Sequence, residues 1–221
     1  MVIFEVTDLD YIIQDLFYDF STKKWILDRN EYILELIFYS GIKKVLVLFA
    51  AGILISLTFF YKTSFVKKYK KGLLVVMLSA IFIPLTVGVL KKITNTPCPK
   101  NIERYNGNYP NVKVFDAYPK IFKQECKIRC WPAGHASGGF ALLSLYFLFK
   151  NLKNKKYALL FGLLVGWSMG IYKMLIGDHF MSHTLVTMFL AWIIILSIDK
   201  VVNLILIKEN ETKVNAPSHL F

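Results

Sequence analysis

Gly72–Leu90, GLLVVMLSAIFIPLTVGVL, runs nineteen residues without a charged side chain. At about 1.5 Å of rise per residue, a helix of that length reaches roughly 28 Å, the thickness of a bilayer's hydrocarbon core. No water is there to satisfy free amides and carbonyls, so a crossing segment must bond its backbone internally. Pro84 and Gly88 allow a bend near its end. This stretch decides the class, an all-α integral membrane helical bundle.

Working outward, Val45–Tyr61, Ser137–Phe149, Tyr157–Ile176 and Thr184–Ile198 are further apolar segments. The expectation is about five spanning helices within a membrane domain at 45–198. A mean hydropathy of +0.47 over 221 residues agrees. Gly162, Gly166 and Gly170 recur every fourth residue, a stripe on which another helix backbone packs closely. Residues 1–44 mix acids (Asp8, Asp10, Asp15, Asp19) with Leu9, Ile12, Ile13, Leu16 and Phe17, and read as an amphipathic, interfacial segment. No basic start precedes an apolar core, so this is not a signal peptide. Met1–Val6 reads like the last turn and a half of a membrane helix, which predicts a sixth, preceding helix. Residues 199–221 form an apolar patch and then a polar C-terminal tail, expected to fray.

The formal charge is +12. The lysines cluster at the ends of apolar runs, where they meet anionic headgroups, and form no separate basic face for a nucleic-acid partner. Residues 62–71 carry five lysines and 150–156 carry four, whereas the turn 177–183 carries no Lys or Arg. The positive-inside rule puts the first two in the cytoplasm, and alternation then puts the 91–131 loop and the 177–183 turn outside. The long loop's own nine basic residues weigh less in that rule. Its three cysteines, Cys98, Cys126 and Cys130, predict one disulfide and one free thiol, with the pairing open. Their CxxxC spacing is a poor zinc motif, and the loop's one nearby histidine belongs to the turn described next.

Three pieces meet on that outer face. Trp131–Phe140, WPAGHASGGF, sets His135 in a Pro-Ala-Gly turn at a helix start, where free amides and the dipole suit an anion. Lys91 and Lys92 end the second helix. Lys173, His179 and His183 surround the last turn. Taken singly, these lysines are ordinary helix-end charges, His135 a cap, and His179 and His183 an i,i+4 pair on one helix face. Taken together, histidines beside clustered cations point to phosphoryl transfer. One imidazole attacks phosphorus, another protonates the leaving oxygen, and the cations offset the phosphate charge.

These residues also carry a resemblance. Lys91, six residues on, is followed by Cys98-Pro99; then come Pro132-Ala133-Gly134-His135, and Tyr172-Lys173 with His179 and His183 at fixed spacing. In order and spacing they resemble the three motifs of the phosphatidic acid phosphatase type 2 superfamily of membrane lipid phosphatases, related to vanadium haloperoxidases. Five positions depart from its pattern: Cys98 stands for Arg, Ala133 for Ser, Tyr172-Lys173 for Ser-Arg, and His183 for Asp. The flanking words CPxxxxxYxG, CWPAGHASGGF and GDHFMSH are similar to a bacterial branch with several of these replacements. The resemblance implies His179 as nucleophile, His135 as acid, and His183 orienting His179 through an imidazole–imidazole hydrogen bond. It implies phosphate held by Lys91, Lys173 and amides around Gly134, with Lys92, Arg104 or Arg129 replacing the missing arginine. No metal or cofactor is implied.

The expected function is a metal-independent phosphatase of the cell inner membrane, its site facing the periplasm or exterior. Its substrate would be undecaprenyl diphosphate, phosphatidylglycerol phosphate, phosphatidic acid or a lipid A phosphate. The alternatives are a lipid phosphotransferase using the same site, and a non-catalytic phospholipid-binding membrane protein. A transporter would show mid-membrane charges and a repeat, and neither is visible.

Overall fold

The computed structural model describes residues 2–214. In chain order it comprises α1 (Val2–Val6), α2 (Leu9–Asp15), a two-stranded ribbon of β1 (Tyr18–Asp19) and β2 (Lys24–Trp25), α3 (Tyr32–Glu35), α4 (Gly41–Phe59), α5 (Ser64–Ile93), α6 (Gly134–Ala141), α7 (Leu152–Leu175) and α8 (Met181–Val214). A π-helical turn, Leu36–Ser40, joins α3 to α4, so Tyr32–Phe59 is one continuous helix.

Among the described residues, four helices are long and apolar enough to cross a membrane: Tyr32–Phe59, Ser64–Ile93, Leu152–Leu175 and Met181–Glu209. Each turns large apolar side chains outward, for example Leu48, Leu85, Leu164 and Ile193. A stripe of that kind on every long helix is the surface of a protein embedded in lipid.

The expected span at Ser137–Phe149 is instead the eight-residue α6 followed by a 3-10 segment, Leu142–Phe147. Together they reach about 24 Å at their respective rises. The length suffices because this piece is enclosed and never faces lipid alone. Ala136, Phe140, Ala141 and Leu143 join Val75 and Ile83 of α5 and Ala191 and Ile195 of α8 in the main core. The glycine stripe makes the enclosure possible. A Cβ on Gly139 would lie 2.7 Å from the Gly166 Cα, and one on Gly162 would lie 2.8 Å from the Leu143 amide.

The N-terminal segment packs on the protein itself. Tyr18 and Trp25 cluster with Tyr105 and Phe180, and Gln14, fully buried, donates to the Met174 carbonyl at 2.8 Å. Ile12, Leu16 and Phe20 still face outward. At the other terminus, residues 199–214 continue α8 where a frayed tail is expected. Lys71 pairs with Asp199 and Lys70 with Glu209, tying that extension to α5. The remainder of the predicted tail lies outside the described residues.

Candidate active site

Two turns carry the histidines. The first follows the long loop after α5. Cys98 and Cys130 form a disulfide, leaving Cys126 as the free thiol. The Cys130 amide donates to the Thr96 carbonyl, and the Thr94 hydroxyl donates to the Trp131 carbonyl at 2.6 Å. The Ala133 amide then donates to the His183 carbonyl at 3.2 Å. So fixed, α6 begins at Gly134 and projects His135 from its first turn. Lys91 Nζ comes within 3.4 Å of where a Gly134 Cβ would stand, so the glycine leaves room for that ammonium at the start of α6.

The second turn closes α7. Gly177 adopts φ +72°, a left-handed conformation that glycine supplies without steric cost, and its amide donates to the Met174 carbonyl. The chain then doubles back, so the amides of Asp178 and His179 both donate to the Lys173 carbonyl. Asp10 of α2 accepts from both the amide and the hydroxyl of Ser182, capping α8 from a distant segment.

The rings of His135 and His179 stand 5.5 Å apart, centroid to centroid, and those of His179 and His183 5.7 Å. His179 is 2% exposed, with no partner for its Nε2. Burial, then the nearby His183, His135, Lys91 and Lys173, hold its pKa well below the usual imidazole range. Burial thus favours the neutral ring, one nitrogen of which carries a lone pair.

The expected hydrogen bond from His183 is replaced by another arrangement. The Cys130 sulfur lies 3.5 Å from His179 Nδ1, while the His183 ring bonds the Cys130 backbone and leaves its own Nδ1 without a partner. Ligand atoms of Cys130, His179 and His183 lie within 4.8 Å of one another. The thiolate that a zinc site would need from Cys130 is, however, consumed by the disulfide.

The cations distribute differently from expectation. Lys173, 7% exposed, reaches the Asp178 carboxylate at 3.2 Å and lies over the Tyr39 ring, 4.4 Å from its centre. Tyr39 in turn meets the His135 ring edge-on at 4.7 Å. Of the three candidates for the missing arginine, Arg104 is taken by Asp15, and Lys92 and Arg129 are exposed. Lys100, at 2.9 Å, and Arg29 reach Asp178 instead. Burial alone would raise the Asp178 carboxyl; the Lys100 hydrogen bond and charge, with Lys173 and Arg29, bring it below the usual range. Sequence reading missed both residues. Lys100 follows the Cys98-Pro99 motif directly, a cue that was available. Arg29 comes from 149 positions away, with no local cue.

A cavity of about 450 Å³ opens beside His135 and Gly134. Leu46, Ile53, Val76, Ala80 and Met169 are among the apolar side chains of α4, α5 and α7 that line it. A basic, histidine-bearing pocket thus opens into an apolar space between helices, matched to a ligand with an anionic head and a hydrocarbon chain.

The sequence model of the PAP2 superfamily matches residues 70–205. No curated protein and no solved structure matches the chain. The matched stretch includes Lys91, His135, Lys173 and His179; Arg29, Tyr39 and Lys43 lie before it. On a match over more than half its length, with the basic histidine pocket inside it, this membrane-embedded chain belongs to the PAP2 superfamily, whose members are phosphoesterases.

Proposed function

We propose that the protein is a phosphatase of membrane lipid phosphates that works through a phosphohistidine on the extracytoplasmic face. One observation carries the reading: a buried, neutral His179 with an unpartnered Nε2, facing His135 across 5.5 Å beside Lys91 and Lys173, where an apolar cavity begins. The Nε2 lone pair bonds to phosphorus, and the bond from phosphorus to the lipid oxygen breaks. His135, kept protonated by the negative charge of the bound phosphate, gives its proton to that oxygen, and the lipid product leaves. Water, deprotonated by His135, then attacks phosphorus, and the P–N bond breaks to release inorganic phosphate. Lys91 and Lys173 offset the charge on the equatorial oxygens throughout. The disulfide in the outer loop supports an oxidising, extracytoplasmic location, in line with the lysine-rich loops on the other side.

Phosphate release from a panel of lipid phosphates tests this, using purified wild type beside His179→Ala and His135→Ala. His179→Ala should fall by at least about a thousandfold and His135→Ala by about a hundredfold or more. Full activity in His179→Ala would remove the nucleophile from the mechanism.

A further inference from the structure

Lys43 has no part in the chemistry above. Among the residues lining the cavity it is the one with a formal charge, beside Tyr39, Gly134, His135 and a largely apolar wall. Among the described residues no carboxylate pairs with it. Lys43 is exposed at the mouth of this apolar space, where a ligand entering between the helices meets its ammonium.

Its depth is fixed by contacts on either side. Tyr39, four residues earlier on the same helix, meets the His135 ring at 4.7 Å. Leu46, three residues later, approaches Gly138, where an added Cβ would lie 3.3 Å from the leucine Cδ1. Lys43 therefore stands about one helical turn past the acid, on the chain side of the bond to be broken. The reacting phosphate occupies the other side, with His179, Lys91 and Lys173. The charges acting on His135 are those of Lys173, Lys91 and Lys43 against one carboxylate, Asp178. That carboxylate is already shared with Lys100 and Arg29. With Lys91 and Lys173 set against the reacting phosphate, the charge of Lys43 is left for another group.

Resting on the phosphatase reading above, we propose that Lys43 is a specificity residue that binds a second phosphate in the leaving group, so that the enzyme prefers lipids with two phosphates over their monophosphates. In a diphosphate, His179 attacks the terminal phosphorus and the electron pair of the broken bond stays on the bridging oxygen. His135 protonates that oxygen, and the departing lipid monophosphate keeps the charge of its own phosphate beside Lys43. Where a short linker separates the two phosphates, the leaving oxygen is an alcohol oxygen that His135 protonates, and the second phosphate again lies beside Lys43.

The test uses matched pairs in detergent micelles: farnesyl diphosphate with farnesyl monophosphate, and phosphatidylglycerol phosphate with phosphatidic acid. Wild type should favour the doubly phosphorylated member of at least one pair by about tenfold or more in kcat/KM. The pair that shows it tells a direct diphosphate from a linked one. Lys43→Gln should erase the preference, losing about ten times more on that member than on its partner, and Lys43→Arg should restore most of it. Lys43 is exposed on α4, so folding should survive the change. Equal kcat/KM within both pairs for wild type, or an equal loss on both members in Lys43→Gln, would overturn the proposal and leave the phosphatase reading standing. Release from none of the four lipids would overturn both.

Discussion

The turn that carries His135 is tied down by the matched domain itself, whereas the turn that carries His179 is tied down largely by residues 10 to 29, which precede it. The first has a disulfide, the Thr94 and Thr96 contacts and the glycine-lined wall of α7. The second has Asp10 on Ser182, Gln14 on the Met174 carbonyl, Arg29 on Asp178 and Trp25 against Gly177. A covalent tie shortens the list of conformations open to the unfolded chain, while polar ties act only once the segment has docked. One half of the site is thus fixed by the chain near it. The other half depends on a separate segment being in place.

The largest expected effect breaks the covalent side. Replacing both Cys98 and Cys130 by alanine opens a loop with a sequence separation of 32 and should cost about 3–4 kcal/mol. Denaturation in detergent reads the total. Hydrogen exchange should speed most at 130–135 and least at 177–183. Equal acceleration of both turns would mean that they unfold as one unit.

Asp10→Ala probes the other side. It removes the cap of α8 and leaves the buried Ser182 hydroxyl without its acceptor, at a cost of about 1–3 kcal/mol. Exchange should now speed at 177–183 and leave 130–135 nearly unchanged. Gly177→Ala sharpens the same contrast at about 1–2 kcal/mol, because alanine is strained at φ +72° and its Cβ would lie 2.3 Å from the Trp25 ring. Combining it with Trp25→Ala should recover only the steric part, and full recovery would show that the backbone strain is negligible.

The same contrast explains what could be read from the sequence. The bundle was legible because an uncharged run of bilayer length admits one structure. The histidines were legible because each sits in a short local pattern, His135 in the Pro-Ala-Gly turn and His179 and His183 soon after Lys173. Whatever depends on distant pairing was not. Arg29 meets Asp178 across 149 positions, and the partner of Cys98 among two candidates is set by the path of a loop without periodicity. Ser137–Phe149 read as a third spanning helix, though a short one, because hydropathy records apolar character and not enclosure. Residues 199–214 looked frayed because their helix is held by Lys70 and Lys71, which belong to α5.

The smallest effect follows from the neutral state of His179. Its pKa in the folded protein lies well below the value of about 6.5 that an unfolded chain would show. Between those two values the unfolded state binds the extra proton. Stability is therefore complete above about pH 6.5 and falls as the pH is lowered, by about 1 kcal/mol between pH 7 and pH 5.5 for this one group. Thermal melts of wild type and His179→Gln across that interval isolate the contribution, since glutamine has no proton to gain. Wild type should lose more, and its exchange at 177–183 should rise with acid before that at 130–135, because no covalent tie holds the α7–α8 turn. A parallel pH dependence in the two proteins would mean that His179 titrates alike folded and unfolded, so that the fold does nothing to keep its lone pair free for attack.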